Sequence, residues 1–485
     1  MALRTLCPQR PRHDEKTGSK DEMGEFDATN EDIRHLDDGL PAEIARLKDA
    51  GELAHAVRLI EDELAAGTRL ELAACLRAER ARMLRAPRDF CVTREQALAQ
   101  IRAEWPDFGE GDLDALIDRG RIDWRLVEGE QRFLASFLDA LRKYPEEVPG
   151  LSCPAPDRTE QLATIDEMRE RGHAARRVRI RASIEAGEGV EIGADTPVRC
   201  WLPLPAACPQ QADMRVVDAT PGGIAAAEDA PQRTMYWERE GTRGFYVEYE
   251  YTICAPYADL WADAPAAPAP RVGIAPAPCL ADLREDRPHV AFTPYLRALA
   301  DRIFAGLAEG DALGRARAAY DYVTKNVDYR FQPAYVLLDG IADNCAKSLR
   351  GDCGVFALTF ITLCRLGGVP ARWQSGLYAA PDHVGPHDWA MFYVGGLGWL
   401  WADCSFGSAA RRDGDEARRR FYFGNLGPWR MVANAQFEGN LAPACDVLRN
   451  DPFDNQVGEM VVGGHGLTSH DFAWKVELVS MEPAE

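Results

Sequence analysis

Several protein classes are excluded by what this sequence lacks. Its 485 residues include no apolar run near the length needed to cross a bilayer, about 20 residues. The opening stretch, MALRTLCPQRPRHDEKTGSKDEMGEF, has no apolar segment typical of a secretory signal. The 13 cysteines are odd in number and form no CxxC pair, so they resemble neither a disulfide framework nor a zinc site. These features favour a reducing compartment, and we expect a cytoplasmic protein that does not associate with membranes.

Positive charge is also in short supply. Lysine and arginine number 56 against 77 aspartate and glutamate residues, which gives a net charge of -21. Such a chain repels phosphate backbones and anionic lipid, so we expect no nucleic-acid partner. The hydrophobic fraction of 46% is enough for ordinary cores, and the length predicts several domains.

The first half of the chain changes from helical to strand patterning. Residues 1–30 are charged and poor in large apolar side chains, which predicts a flexible tail. Residues 31–150 favour an all-α domain with a docking or scaffolding role, and a capping box, Thr93 and Gln96, begins one helix. Apolar residues there recur at three- and four-residue steps, as in Leu53, Val57, Ile60 and Leu64, and again in Phe133, Phe137 and Leu141.

Alternation of apolar and polar residues over 174–258 predicts a β-sandwich-like domain. Residues 259–289 are rich in proline and alanine, which indicates a connector or an extended segment lying along the next domain. We expect a catalytic domain of mixed helices and strands over 290–430, and C-terminal strands and a tail over 431–485 that pack on the preceding domains. The predicted fold class is therefore α+β.

The stretch RGDCGVFALTF places Cys353 before an apolar run that ends at Gly367 and Gly368, which predicts a buried helix with Cys353 in its first turn. The positive end of a helix dipole lowers the pKa of a thiol at that position, and the backbone N–H groups there can face an oxyanion. A cysteine at a helix start is also a common structural feature, so a catalytic interpretation needs a base.

A base and a carboxylate follow on a predicted hairpin, HDWAMFYV and WLWADCS, joined by GGLG. A three-residue loop pairing Val394 with Gly398 sets Trp389 opposite Asp403 and leaves His387 diagonal to Asp403 on the same face. A two-residue loop would turn Asp403 to the other face unless a bulge intervened.

Cys353, His387 and Asp403 would then form a Cys-His-Asp triad. The histidine takes the thiol proton and later donates a proton to the leaving amine, and the aspartate fixes the tautomer of the ring. His383 is an alternative base, but it lies in a Pro/Gly-flanked loop that orients it less firmly, so we prefer His387.

These motifs resemble the core of the transglutaminase-like superfamily of papain-like thiol enzymes. The resemblance spans about residues 295–410, and the β domain before it and the late stretch NDPFDNQVGE resemble the larger bacterial members. It implies a papain-like fold and a thioester acyl-enzyme. The matching residues, in order, are Gly351, Cys353, Pro370, Ala371, Arg372, His387, Trp389, Trp399 and Asp403.

Two departures from the family pattern matter. Asp403 is followed by Cys404, where relatives commonly have proline. The animal cross-linking enzymes carry a tryptophan ahead of the cysteine that serves the oxyanion hole, and this chain has none between Trp261 and Trp373. This absence weakens the case for protein cross-linking. Polar side chains that could serve the oxyanion instead are Tyr329, Gln332 and Asn344, with Tyr329 first by its place in the family-like VDY.

Metal binding is the alternative use for a Cys/His/Asp set, but no second cysteine lies at ligand spacing. Asp451, Asp454 and Glu459 form an acidic cluster that lacks the EF-hand pattern, and we interpret it as a solvated face. We therefore expect no metal and no cofactor.

The sequence predicts a cysteine-nucleophile amide hydrolase, a peptidase or amidase, whose substrate is a peptide or protein amide. Transglutaminase-type acyl transfer or glutamine deamidation is the alternative outcome of the same acyl-enzyme, and a non-catalytic binding or scaffold protein is the alternative of another class. Nothing in the sequence indicates the oligomeric state. The candidate substrate-groove aromatics are Trp373, Tyr378, Trp389 and Trp399, of which alternation on a hairpin would place about half in the core.

Overall fold

The computed structural model describes residues 27–269, 272–273 and 276–484. The chain divides into two compact units. The first takes in the chain up to Pro156 together with Arg330–Leu338 and Asp446–Leu448, and the second takes in the remainder. The predicted flexible tail, residues 1–30, falls largely on residues outside the described part of the chain.

The first unit is mainly helical and also contains a small sheet. Its α-helices are α1 (Ala42–Asp49), α2 (Leu53–Ala66), α3 (Leu70–Asp89), α4 (Arg94–Arg102), α5 (Glu110–Asp118) and α6 (Phe137–Leu141). The short 3-10 helices Asp32–Asp38 and Tyr335–Leu337 accompany them. Its strands are β1 (Val92–Thr93), β2 (Trp124–Val127) and β3 (Glu130–Phe133), in the order β1-β3-β2. The predicted capping box of Thr93 and Gln96 begins α4.

The prediction of an all-α domain over 31–150 is therefore corrected. Glu128 and Gly129 both adopt positive φ, at 48° and 77°, and form the tight turn between β2 and β3. Such a turn requires a hairpin, so Phe133 closes a strand instead of starting a helical stripe with Phe137. The four-residue spacing of Phe133 and Phe137 is a coincidence of a strand end followed by a short helix.

The second unit begins with α7 (Thr159–Arg171) and a set of long strands. These are β4 (His173–Ala186), β5 (Pro197–Pro203), β6 (Gln211–Ala219), β7 (Ile224–Ala225), β8 (Thr234–Glu240) and β9 (Gly244–Pro256). Their alternating buried and exposed residues follow the period-2 pattern of the sequence.

The predicted catalytic region follows as four helices and then a sheet. The helices are α8 (Pro294–Ile303), α9 (Ala312–Asn326), α10 (Ile341–Ser348) and α11 (Cys353–Leu366). Two short strands, β10 (Asp328–Tyr329) and β11 (Arg350–Gly351), pair in parallel. The later elements are β12 (Ala371–Ala380), β13 (His383–Val394), β14 (Gly398–Ala402), α12 (Cys404–Arg412), α13 (Glu416–Phe421), β15 (Phe423–Gly424) and β16 (Arg430–Asn434).

The sheet of this region has the order β15-β14-β13-β12-β16 and is antiparallel. Helix α11 packs against β13, and its apolar residues are almost all buried. Val394 pairs with Gly398 across a three-residue loop, which is the register that the sequence predicted for a shared face between His387 and Asp403.

The C-terminal strands complete the earlier β region. They are β17 (Glu459–Val462), β18 (His465–Gly466) and β19 (Phe472–Pro483). One sheet has the order β18-β17-β5-β8-β7 and the other β19-β4-β9-β6. Apolar side chains of both sheets form one buried cluster, which also includes Leu377 of β12 and Met431 of β16. This shared core fixes the catalytic sheet against the β region. The α+β fold class is confirmed.

The Pro/Ala-rich segment lies along the catalytic region, as the sequence allowed. The indole of Trp399 donates to the carbonyl of Pro276 at 2.8 Å, and Arg372 binds the Asp282 carboxylate through two nitrogens. Among the described residues, no helix is long and apolar enough to cross a membrane.

Candidate active site

Cys353 is the first residue of α11, as predicted. Asp352 is the N-cap, and its side chain accepts a hydrogen bond from the N–H of Val355 at 3.3 Å. The two residues before Asp352 form strand β11, which pairs with β10. Cys353 is half-buried, while the helix that follows it is buried.

The Cys353 thiol does not have the lowered pKa expected from its place at a helix start. Burial, the Asp388 carboxylate and the Asp352 carboxylate together raise its pKa well above the ordinary thiol value. The thiol donates a hydrogen bond to Oδ2 of Asp388 at 3.1 Å. Burial of the thiol and the two nearby carboxyl groups therefore oppose a thiolate more strongly than the helix dipole favours it.

His387 and Asp403 are in direct contact. Nε2 of His387 lies 2.8 Å from Oδ2 of Asp403, and both side chains are buried. This contact leaves Nδ1 as the ring nitrogen available for proton transfer. Burial lowers the pKa of His387, which keeps the imidazole neutral and able to act as a base. His383 lies exposed at the start of β13, and the aspartate contact belongs to His387.

Arg430 is the residue that the sequence analysis missed at this carboxylate. Its Nη2 donates to Oδ2 of Asp403 at 2.7 Å, and its guanidinium lies over the rings of Tyr378 and Phe406, 4.8 Å and 4.3 Å from their centroids. Burial alone would raise the pKa of Asp403, but the charges of His387 and Arg430 hold it well below its usual range. The signal in the sequence was an arginine inside the apolar strand PWRMVANA.

Asp403 also begins α12. Its Oδ1 accepts from the N–H of Phe406 at 2.9 Å and from the Ser405 hydroxyl at 3.1 Å. Both oxygens of the carboxylate are therefore occupied by protein donors. The carboxylate is fixed in position before any substrate binds.

The acidic stretch near residue 454 corrects another expectation. Asp454 and Glu459 are buried and not part of a solvated face. Asp454 accepts from the Ser375 hydroxyl at 2.5 Å, and Gln456 donates to Asp388 at 2.6 Å and to the carbonyl of His387 at 2.9 Å. The late motif NDPFDNQVGE thus packs on β13 beside the candidate nucleophile.

The three oxyanion candidates are in different places. Tyr329 pairs with Gly351 in the β10–β11 ladder, two residues before Cys353, and burial raises the pKa of its phenol well above the ordinary value. Asn344 is an exposed residue of α10. Gln332 belongs to the first unit, where its amide donates to the carbonyl of Arg330 at 3.1 Å.

Three of the four proposed groove aromatics are core residues, which corrects that expectation. Trp373, Trp389 and Trp399 are at most 3% exposed. The amide oxygen of Gln374 accepts from the indole of Trp389 at 2.9 Å. Tyr378 is half-buried, and its ring lies edge-on to the His387 ring with the centroids 6.2 Å apart. Of the four aromatic residues, Tyr378 is therefore the one that is both partly exposed and next to His387.

The part of the chain that the structure describes contains no group of three or more histidine, cysteine or acidic side chains arranged to hold a metal ion.

One family model matches part of this chain. The family model of the transglutaminase-like superfamily core matches residues 297–404, the segment that contains Cys353, His387 and Asp403. No curated protein matches the chain.

Solved structures with low similarity include a "Putative Cysteine Protease" from Cytophaga hutchinsonii. It is 14% identical, with a TM-score of 0.40, and the alignment covers 64% of this chain and 91% of that one. The periplasmic domain of TgpA from Pseudomonas aeruginosa is 13% identical, with a TM-score of 0.26 and coverage of 53% and 96%. These low TM-scores carry no assignment. The family model identifies residues 297–404, less than half of the chain, as a segment similar to the transglutaminase-like superfamily core.

Proposed function

We propose that this chain is a cysteine-nucleophile amide hydrolase that acts on peptide or protein amides through a thioester acyl-enzyme. The family match supports a thiol-dependent enzyme. The observation that carries the proposal is the 2.8 Å contact between His387 and Asp403 on the strand beside Cys353. The cytoplasmic location stays a prediction from the sequence.

The proposed first half-reaction starts with a proton transfer from Cys353 to His387. The Cys353 sulfur turns from Asp388 to Nδ1 of His387 and transfers its proton there. The thiolate then attacks the carbonyl carbon of the amide and forms a C–S bond. As the C–N bond breaks, His387 gives the proton to the departing amine, which leaves a thioester on Cys353.

In the second half-reaction, Nδ1 of His387 removes a proton from water as its oxygen attacks the thioester carbon. The C–S bond breaks, the carboxylic acid is released, and the proton returns to the sulfur. Asp403 remains ionised throughout and stabilises the imidazolium that forms at each step. An amine in place of water would give acyl transfer from the same intermediate.

The experiment is a search for the acyl-enzyme by intact-mass spectrometry. The protein is incubated with a peptide library, quenched in acid and mapped by digestion. A mass adduct on the Cys353 peptide, absent from Cys353→Ala, is expected together with loss of amide cleavage in that variant. Cys364→Ala is the control, because Cys364 is a buried cysteine further along the same helix.

Two outcomes bear on the proposal and its alternatives. Amide cleavage that survives in Cys353→Ala would contradict the proposal. Adding an amine such as glycine ethyl ester separates hydrolysis from acyl transfer, because only transfer incorporates the amine into the product.

A further inference from the structure

The contact between Cys353 and Asp388 is not part of the triad. Asp388 follows His387 on β13, and its carboxyl group is buried. One of its oxygens, Oδ2, accepts from the thiol at 3.1 Å, and the other accepts from the amide of Gln456 at 2.6 Å. The carboxyl group is held on both sides, so its place beside the sulfur is a fixed feature of the site.

A second buried carboxyl group lies beside the first. Ser375 is the partner of Asp388 across β12 and β13, and its hydroxyl donates to Oδ1 of Asp454 at 2.5 Å. The same oxygen accepts from the amide of Asn434 at 2.7 Å. Two neighbouring buried carboxyl groups cannot both ionise without a large penalty, so such a pair shares a proton.

The charged side chains that the surrounding elements bring near the carboxyl group of Asp388 are acidic. They are Asp352 at the start of α11, and Asp451 and Asp454 in the segment before β17. His387, the neighbour on the same strand, bonds to Asp403 instead. Burial and these carboxylates raise the pKa of Asp388 well above the ordinary value, and burial raises the pKa of Asp454 to about 7.

We propose that Asp388 is a positioning residue that holds the Cys353 thiol protonated and turned toward itself, and that the proton shared with Asp454 sets how strongly it does so. When the pair holds its proton, less negative charge faces the sulfur. The thiol can then turn to His387 and transfer its proton to Nδ1. When the pair is fully ionised, the Asp388 carboxylate strengthens its bond to the thiol and opposes the thiolate. This inference rests on the proposed function, because it takes Cys353 as the nucleophile.

The test measures the rate of Cys353 alkylation by iodoacetamide as a function of pH, read from the mass of the Cys353 peptide. Asp388→Asn removes the negative charge beside the sulfur, and we expect alkylation near neutral pH to rise about tenfold, the effect of a pKa lowered by about one unit. Asp454→Asn leaves Asp388 as a lone carboxylate, and we expect alkylation to slow. The two variants therefore shift the profile in opposite directions.

Asp311→Asn is the matched control. Asp311 caps α9 through the N–H of Gly314, and asparagine serves equally well as an N-cap, so its profile should coincide with that of the unmodified protein. A merely structural role of the pair would move both site variants in the same direction. Circular dichroism establishes that each variant is folded, and if Asp388→Asn does not fold, slower alkylation in Asp454→Asn supports the inference.

Coincident profiles for the unmodified protein and the folded site variants, or a shift in the same direction for both, would overturn the positioning role. So would unchanged or faster alkylation in Asp454→Asn. These outcomes are separate from failure of the proposed function, which is read from amide cleavage by Cys353→Ala. Alkylation reports on the sulfur whether or not the protein cleaves amides.

Discussion

Nε2 of His387 lies 2.8 Å from Oδ2 of Asp403, and both side chains are buried. The same oxygen of Asp403 accepts from Arg430, so one carboxylate oxygen is shared between an imidazole and a guanidinium. This arrangement fixes the imidazole ring with Nδ1 available for the thiol. It also balances the buried negative charge with the guanidinium, so the histidine can stay neutral until it receives a proton.

Replacing Asp403 with asparagine is expected to lower kcat by about 10³–10⁴-fold, because the ring loses its fixed tautomer and the charge that stabilises its protonated form. KM should change far less, since Asp403 is buried beneath the ring. Steady-state kinetics on a cleaved peptide measures both. The control is Asp415→Asn, which alters the N-cap of α13, where Asp415 accepts from the N–H of Arg418. Equal kcat in the two variants would contradict the role of Asp403.

Replacing Arg430 with methionine is expected to destabilise the protein by about 3–5 kcal/mol, because the Asp403 carboxylate loses the buried guanidinium that balances its charge. The charge of Arg430 lowers the pKa of His387, so any remaining activity should show its acid limb at higher pH. Chemical denaturation and a pH–rate profile measure the two effects. The control is Arg420→Met, whose exposed ion pair with Glu416 contributes at most about 1 kcal/mol. A loss of stability no greater than that of the control would show that Arg430 is dispensable.

Replacing Tyr329 with phenylalanine tests the preferred oxyanion donor. If the phenol donates to the developing oxyanion, kcat should fall by about 10²–10³-fold with alkylation of Cys353 unchanged. Tyr295→Phe is a matched control, because its phenol donates to the carbonyl of Ala346 between α8 and α10. An unchanged kcat in Tyr329→Phe would assign the oxyanion to backbone N–H groups.

The stability of the protein should depend on pH through Asp454. Its carboxyl has a pKa of about 7 in the folded protein against an ordinary value of 3.8, so the folded state binds a proton that the unfolded state releases in that interval. The stabilising contribution is complete below the ordinary value and is lost as pH rises through the folded value. Asp454→Asn cannot titrate there.

The measurement is denaturant unfolding at several pH values across this interval. The difference in free energy of unfolding between the unmodified protein and Asp454→Asn should fall as pH rises toward 7, the pKa of the buried carboxyl. A difference that stays constant across these pH values would contradict a raised pKa for that carboxyl.

The sequence by itself determined the place of Cys353 at a helix start and narrowed the hairpin register to two possibilities, of which the structure has the three-residue loop. The glycines after the apolar run end α11 where expected, which puts Cys353 in its first turn. The alternation along the hairpin and its three-residue loop place His387 and Asp403 on one face. These are local relations, since period 2 in a strand and period 3.6 in a helix follow from backbone geometry alone.

Only the tertiary structure decided which side chains contact the carboxyl groups of Asp403 and Asp388. Arg430 comes from the edge strand β16, and Asp454 and Gln456 come from a segment about 100 residues after Cys353 along the chain. No periodicity encodes such meetings, because they depend on how separate elements pack. For the same reason the sequence predicted a lowered thiol pKa from the helix dipole, while the assembled site raises it through burial and Asp388.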